Sequence, residues 1–182
     1  MNHITKFVEA MEFAAEKHKF QRRKGYLKIP YVNHPVKVCK ILVDCGESEI
    51  NLLLAAILHD TIEDTDTTKE ELIDHFGTEV TNLVLEVSDD MDLDENTRKR
   101  LQVINASKLS PYASLIRIAD KIANVNDIQK YPLNWPKSRK LKYVDWATNV
   151  YNNCKGKNAQ LDKTFEEICN EARKAIGRQE DQ

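Results

Sequence analysis

The residues best suited to chemistry follow one apolar run. Residues 52–58, all Leu, Ala or Ile, lead directly into the adjacent pair His59 and Asp60, and Glu63 and Asp64 follow about one helical turn later. Helices more often end in Gly, Asn or a basic residue. Core packing does not require an imidazole and three carboxylates at this point, whereas metal binding and proton transfer use such groups. We therefore interpret this stretch as an active site.

Two residues elsewhere in the chain can complete a metal site around the His–Asp pair. His34 precedes Pro35, which can open a helix beside a loop, and Asp120 follows an apolar pair. His59 and Asp60 would point about 100° apart on a regular helix, but at a fraying helix end both can converge on one ion. Two imidazoles and two carboxylates suit Mn²⁺, Fe²⁺, Co²⁺, Zn²⁺ or Mg²⁺, and the residues do not choose among these metals.

Such a site indicates hydrolysis of a phosphate ester. A metal with open coordination positions lowers the pKa of a bound water and polarises a phosphoryl oxygen. Glu63 or Asp64 could orient the attacking water or pass a proton to the leaving oxygen. Arg makes bidentate contacts with phosphate and Lys acts as a point charge, so basic clusters could neutralise substrate phosphates. The candidates are Arg22, Arg23, Lys24, Arg98, Lys99 and Arg100.

Structural explanations compete with several of these assignments. Glu63 and Asp64 could merely cap the next helix, because a helix N-terminus favours negative charge. Thr67 and Thr68, however, already supply capping hydroxyls. The basic residues 98–100 could form a solvated helix face. Isolated histidines and aromatic residues are more often structural than functional, a reading that applies to His18, His75, Tyr143, Trp135 and Trp146.

The composition excludes some classes of protein. A formal net charge of −2 and a pI of about 6.2 argue against general nucleic-acid binding, so an anionic substrate must be met by a local basic patch. The four cysteines show no C-x-x-C spacing, which favours reduced thiols. The N-terminus has no apolar signal core, and no run reaches the about 18 residues of a membrane span. We expect a cytoplasmic protein without a membrane partner.

Helical periodicity covers most of the chain, and no alternating strand pattern is evident, so the sequence predicts an all-α fold. Without a repeat or a linker, we expect one domain over residues 1–182, with a core of about 4–176. Ser48 is the predicted cap of the third helix, and Gly77 the predicted end of the fourth. The predicted helices cover residues 4–18, 35–45, 48–58, 68–77, 79–87, a segment after 95, a segment from 111 past 122, 138–155 and 158–176.

Four short motifs resemble the HD superfamily of metal-dependent phosphohydrolases and, more closely, the hydrolase half of RelA/SpoT proteins. The His–Asp pair alone is weak evidence, but HDxxED with an upstream Tyr-x-x-His-Pro and a downstream Ala-Asp is specific. The order and spacing up to Trp146, together with the short chain, resemble the small standalone alarmone hydrolases of the metazoan SpoT-homologue type. The motifs are Arg23-Lys24, Pro30-Tyr-Val-Asn-His34-Pro35, His59-Asp60-Thr-Ile-Glu63-Asp64 and Ala119-Asp120-Lys-Ile-Ala-Asn124.

This resemblance implies a single-domain HD-type helical bundle of about ten helices that binds one Mn²⁺, with other divalent metals as alternatives. It implies hydrolysis of the 3′-pyrophosphate of guanosine tetra- and pentaphosphate, ppGpp and pppGpp, to GDP or GTP and pyrophosphate. The implied metal ligands are His34, His59, Asp60 and Asp120, and the implied catalytic acids are Glu63 and Asp64. The implied substrate contacts are Arg23, Lys24, Asn124 and Tyr143, to which charge alone adds Arg98 and Lys99.

One departure from the family pattern keeps other functions open. RelA/SpoT proteins usually carry Arg at the position of Asn126, and Lys28 or Arg98 could replace that charge. An HD-type nucleoside 5′-monophosphatase would use the same ligands without needing a second phosphate pocket. Removal of the NADPH 2′-phosphate is another alternative within this type of enzyme. A non-catalytic nucleotide sensor is a third, but it would have no need for both Glu63 and Asp64.

Overall fold

The computed structural model describes residues 2–25, 27–131 and 133–178. Over these residues the chain forms nine α-helices and one 3₁₀ turn, with a single isolated bridge between Arg22 and Pro30 in place of any strand. The all-α prediction is therefore confirmed. The helices are α1 (His3–Lys17), α2 (Asn33–Asp44), α3 (Ile50–Leu58), α4 (Thr61–Asp64), α5 (Lys69–Val87), α6 (Glu95–Asn105), α7 (Pro111–Lys130), α8 (Lys137–Cys154) and α9 (Ala159–Gly177), with the 3₁₀ turn at Ala106–Lys108.

Side-chain caps fix most helix starts where the sequence predicts them. Thr68 accepts a hydrogen bond from the Glu71 amide (3.2 Å) and begins α5. Pro111 stands in the first turn of α7, as predicted. The Ser48 prediction was wrong by one residue, because the N-cap of α3 is Glu49, whose carboxylate accepts from the Leu52 amide (2.9 Å). A carboxylate at this place also interacts favourably with the helix dipole.

The predicted break at Gly77 is confirmed, whereas one short helix was not predicted. The predicted helices 68–77 and 79–87 are the two arms of α5, which meet at Gly77, where φ 84° and ψ 165° are not helical. Only glycine adopts this backbone conformation readily. Before the bend, Phe76 packs edge-on against Phe13 of α1. The one-turn helix α4 was not predicted, because four residues are too few to show a helical period.

Helices α2, α3 and α7 pack directly on one another and form the centre of the core. Helix α7 also contacts α5, α8 and α9, and buried residues occur on all its sides. The three central helices carry His34, His59 and Asp120, so packing of the core itself brings the predicted ligands together. Among the described residues, none of the helices combines the length and apolarity that crossing a bilayer would require.

Candidate active site

The four predicted metal ligands converge where α2, α3 and α7 meet. His34, His59 and Asp120 can each offer one atom within 4.8 Å of the others. Nε2 of His34 lies 3.1 Å from Oδ1 of Asp120. Oδ2 of Asp60 lies 3.1 Å from Nε2 of His59 and 3.4 Å from Nε2 of His34. The structure thus brings together two imidazole nitrogens and two carboxylates from three separate points of the chain.

A break in the helical backbone lets the adjacent His59 and Asp60 reach one point. His59 keeps helical angles as the C-cap of α3, whereas Asp60, with φ −98° and ψ −2°, is the N-cap of α4. Thr61 donates to the Leu58 carbonyl (2.7 Å) and satisfies an acceptor that the break exposes. Convergence at a helix end, expected from the sequence, is realised through this junction.

The buried atoms at this point require a cation. Nδ1 of His59 is 2.9 Å from the Ala56 carbonyl, which only accepts, so Nδ1 carries the proton and Nε2 of a neutral ring has a free lone pair. Nε2 is buried and makes no hydrogen bond within the part of the chain that the structure describes, although Oδ2 of Asp60 is close. Burial lowers the pKa of His59, but the Asp60 charge outweighs burial and raises it to about 9. A proton or a divalent metal can supply the missing charge, and the mixed N/O donor set fits a metal.

Neighbouring donors hold the two acidic ligands in place. Tyr31 donates to Oδ2 of Asp60 (2.8 Å). Lys121 donates to Oδ2 of Asp120 (2.9 Å), and Asn124 donates to its Oδ1 (2.5 Å). Burial alone would raise the pKa values of Asp60 and Asp120. The charge of His59 outweighs burial at Asp60, as that of Lys121 does at Asp120, so both pKa values lie well below the usual range.

The two predicted catalytic acids differ in environment. Glu63 is half-buried, and its Oε2 accepts from the Asp89 amide (3.0 Å). Burial raises the pKa of Glu63 to about 7, and the nearby Asp60 charge acts in the same direction. A carboxyl group with a pKa near neutrality can both accept and donate a proton. Asp64 is exposed and accepts a hydrogen bond from Gln21 (2.9 Å).

A cavity of about 440 Å³ opens over the ligand cluster. Six cationic side chains and five carboxylates line it, so the cavity combines acidic groups at the ligand cluster with cations that can contact an anionic substrate. The cations are Arg22, Arg23, Lys24, Arg98, Arg117 and Lys121, and the carboxylates are Asp60, Glu63, Asp64, Asp120 and Asp127.

Most predicted substrate contacts line this cavity. Arg23 donates to Asn124 (2.5 Å) and to Asp127 (2.9 Å), so the first loop is tied to α7 at the cavity wall. Lys24, Arg98 and Tyr143 also line it. The structure does not bring Lys99 into the lining, because its ammonium group pairs with Glu95 on the exposed side of α6 (2.6 Å). Asn126, where the family pattern has Arg, is also outside the lining.

An aromatic wall closes one end of the cavity. Tyr143 lies with its ring centroid 6.2 Å from that of Trp135, and both line the cavity together with Leu133. Burial raises the pKa of the Tyr143 hydroxyl above its ordinary value, so this hydroxyl stays protonated. Flat apolar side chains next to charged ones suit a ligand that joins an aromatic ring to phosphates.

Sequence reasoning missed several residues around the site. Tyr31 stands three positions before His34 in the Tyr-x-x-His-Pro motif, and that spacing could have identified it. Asp127 follows Asp120 by seven residues and Asn124 by three, so helical periodicity on α7 predicts a shared face. Arg117 carried no recognisable signal, because it is a single charged residue within an apolar run, and the uncharged Gln21 was overlooked beside the basic residues 22–24.

Comparisons with known proteins identify relatives of this chain. A family model described as an HD domain matches residues 10–153. The human protein named guanosine-3′,5′-bis(diphosphate) 3′-pyrophosphohydrolase MESH1 is 45% identical over 163 residues, which are 88% of this chain and 91% of the relative. The fly protein of the same name, from Drosophila melanogaster, is 44% identical over 90% of this chain and 92% of its own length.

A solved structure superposes on this chain over nearly the whole length of both proteins. That protein, described as a metazoan ortholog of SpoT that hydrolyses ppGpp and plays a role in starvation responses, superposes with a TM-score of 0.88 at 43% identity. The match covers 91% of this chain and 94% of the other. A second structure, from Listeria monocytogenes, superposes with a TM-score of 0.64 at 22% identity and shares the fold.

Proposed function

The chain belongs to the HD-domain family and groups there with the small guanosine-3′,5′-bis(diphosphate) 3′-pyrophosphohydrolases; on this premise we propose that it hydrolyses ppGpp and pppGpp. Water attacks the 3′-pyrophosphate, the bond between this group and the ribose oxygen breaks, and the products are GDP or GTP and pyrophosphate. The enzyme lowers the level of these nucleotides.

The observation that supports this function best is the composition of one cavity. A ligand cluster for a metal, a carboxyl group with a pKa near neutrality, six cations and an aromatic wall all face the same space. A metal site alone would serve any phosphatase. The cations beyond the metal site suit a substrate with two separate phosphate groups, and the aromatic wall suits its base.

We assign the metal as one Mn²⁺ per chain, held by His34, His59, Asp60 and Asp120. When bound, Mn²⁺ lowers the pKa of a coordinated water and polarises the phosphoryl oxygen. Nε2 of His59 is held ready as a ligand by the hydrogen bond of Nδ1 to the Ala56 carbonyl. Mn²⁺ agrees with the mixed N/O donors, which do not by themselves exclude the other divalent metals.

The remaining side chains handle protons, charge and position. Glu63 accepts the proton of the attacking water and returns one to the departing 3′ oxygen, since its pKa near 7 allows both transfers. Asp64 orients the water. Arg23, Lys24 and Arg98 neutralise phosphate charge, while Asn124 contacts the substrate beside Arg23. Tyr143 packs against the guanine base.

The experiment gives metal-stripped protein ppGpp with Mn²⁺, Mg²⁺, Zn²⁺ or no metal and separates the products by ion exchange. We expect equal amounts of GDP and pyrophosphate, fastest with Mn²⁺ and absent without metal. If another metal supports the fastest hydrolysis, the Mn²⁺ assignment fails and the reaction stands.

Competing substrates are tested in the same assay. Nucleoside 5′-monophosphates and NADPH should release phosphate more slowly than ppGpp releases pyrophosphate at equal concentration. Intact ppGpp together with phosphate from either competitor would overturn the substrate assignment. Tight ppGpp binding with no product under any metal would instead indicate a sensor.

A further inference from the structure

A chain of hydrogen bonds connects a buried histidine to one of the proposed catalytic acids. Nδ1 of His18 is 2.6 Å from Oε1 of Gln21, and Nε2 of Gln21 donates to Oδ2 of Asp64 (2.9 Å). His18 is 2% exposed, whereas Asp64 is exposed. Gln21 lines the cavity between them. This series of hydrogen bonds therefore runs from the protein interior to the exposed Asp64 at the cavity.

Hydrogen-bond chemistry fixes the direction of every link. A carboxylate oxygen only accepts, so the amide nitrogen of Gln21 must face Asp64 and the amide oxygen must face His18. That oxygen also only accepts, so the proton of His18 must be on Nδ1. Backbone hydrogen bonds hold the same residues in place. The backbone N–H of Gln21 donates to the backbone carbonyl of His18 (2.9 Å), and the backbone carbonyl of Gln21 accepts from the backbone N–H of Tyr31 (3.1 Å).

The second ring nitrogen of His18 indicates that filling space is not the whole role of this residue. With the proton on Nδ1, Nε2 is an acceptor, and it is buried without a hydrogen-bond partner among the described residues. A leucine would fill similar space and leave no buried acceptor unsatisfied. The imidazole makes two contacts that leucine would not reproduce, ring packing against Tyr31 (centroids 4.9 Å apart) and the hydrogen bond to Gln21, and only the hydrogen bond leads on to Asp64.

We propose that Gln21 is a positioning residue that holds the Asp64 carboxylate at the cavity, with buried His18 fixing the orientation of the Gln21 amide. This inference rests on the proposed role of Asp64 in hydrolysis. An exposed aspartate otherwise samples several rotamers, and restricting it to one places its oxygens where water must be oriented. The ligand set does not include Gln21, His18 or Asp64, so their contribution can be separated from metal binding.

The test is a double-mutant cycle of Gln21→Leu and Asp64→Asn, with kcat and KM for ppGpp and bound Mn²⁺ measured for each full-length variant. Gln21→Leu should lower kcat by about 10- to 100-fold with KM changed by less than about threefold and Mn²⁺ content unchanged. In the Asp64→Asn background the same change should alter kcat by less than about threefold, because the group that Gln21 positions is already lost.

Two substitutions of His18 test the hydrogen bond between His18 and Gln21. His18→Asn keeps an N–H near the place of Nδ1, whereas His18→Leu removes it. At equal Mn²⁺ content, His18→Asn should retain several times the kcat of His18→Leu. Gln160→Leu, at an exposed glutamine on α9, is the matched control and should behave as the wild type.

Failure of this inference is distinct from failure of the proposed function. If the wild type leaves ppGpp intact, the proposed function fails. If the wild type is active and Asp64→Asn impairs it, three results overturn the inference. They are an unchanged kcat in Gln21→Leu, a full additional loss in the double variant, and a loss that follows Mn²⁺ content instead of kcat per bound metal.

Discussion

At the residue scale, Asp60 contacts three other side chains of the ligand cluster and its surroundings. It accepts a hydrogen bond from Tyr31 (2.8 Å) and lies within 3.4 Å of both ligand imidazoles. Its pKa is far below the usual range, so it supplies a full negative charge. Removing that charge without changing the shape isolates its role as a ligand.

We predict that Asp60→Asn loses bound metal and lowers ppGpp hydrolysis by at least about 100-fold. Mutation of a residue that only contacts a metal ligand already lowers metal affinity or activity by about 10- to 100-fold, and loss of a ligand should cost more. Metal content is measured by mass spectrometry and turnover by product release. Asp66→Asn is the control, since Asp66 pairs with Lys17 outside the cavity and should leave both quantities unchanged. Normal metal content in Asp60→Asn would contradict its assignment as a ligand.

Glu63 is expected to contribute to activity at a cost in stability. Burial raises its pKa from the ordinary 4.5 to about 7, so the folded state holds the proton more tightly than the unfolded state. The stabilisation from the protonated form is fully present below pH 4.5 and is lost as the pH rises through 7. At pH 8 the folded protein therefore carries an unfavourable buried charge.

We predict that Glu63→Gln, measured by urea unfolding of metal-free protein, raises the free energy of unfolding at pH 8 by about 1–3 kcal/mol. The gain should shrink towards pH 5, and ppGpp hydrolysis should fall about 100-fold or more, as expected when a proton-transfer group is lost. Glu79→Gln, at an exposed position of α5, should show neither effect. A stability gain independent of pH would show that the Glu63 charge is not its source.

Residues marked by local motifs could be placed at the cavity from the sequence, and residues linked to it only by distant contacts could not. His59 and Asp60 are adjacent, and His34 precedes a proline, so their types and spacing were informative. Lys99 is next to Arg98 in sequence, yet helical rotation directs only Arg98 to the cavity. Gln21 acts across 43 residues on Asp64, a separation that no periodicity reports.

At the scale of helices, the bend in α5 allows one helix to contact both α1 and α7. Phe76 packs against α1 before the bend, and the carbonyl of Val87, at the end of α5, accepts from the cavity residue Arg117 (2.7 Å). The bend depends on Gly77, whose φ of 84° and ψ of 165° other residues rarely adopt. No neighbouring atom lies within 4 Å of an added Cβ, so any cost comes from the backbone alone.

We predict that Gly77→Ala lowers the free energy of unfolding by about 1–3 kcal/mol. Gly177→Ala is a close control, because it also meets no neighbour within 4 Å but has no positive φ. The free energy of unfolding of that variant should be unchanged or slightly higher, since alanine stabilises a helix more than glycine does. Equal effects of the two changes in urea unfolding would contradict the backbone explanation.

Helix ends were predicted from sequence to within one or two residues because capping residues mark them locally. Thr68 and Pro111 are such marks, and both act as expected. Gly77 was also predicted as a helix end, because a glycine after a periodic run is typical of one, and its non-helical φ and ψ confirm that the first arm of α5 ends there.

At the scale of the whole molecule, the metal site connects helices that are distant in sequence. His34 and Asp120 lie on α2 and α7, His59 is the C-cap of α3, and the buried carboxylate of Asp120 carries charge that a cation would compensate. A metal that binds only the folded state stabilises it, by about 2.7 kcal/mol at a concentration 100 times its Kd. The metal is therefore expected to stabilise the fold as well as to take part in the reaction.

We predict that Mn²⁺ at about 100 times its Kd raises the Tm of metal-stripped protein by about 5–10 °C, because each kcal/mol shifts Tm by 2–4 °C in chains of this size. A chelator should reverse the shift, and differential scanning calorimetry measures both. Asp60→Asn should show little shift at the same Mn²⁺ concentration, which separates binding at this site from binding at surface carboxylates. An equal shift in Asp60→Asn would place the stabilising ion elsewhere. No shift in the wild type, although Mn²⁺ restores hydrolysis, would mean that the core holds the ligands in position without help from the metal.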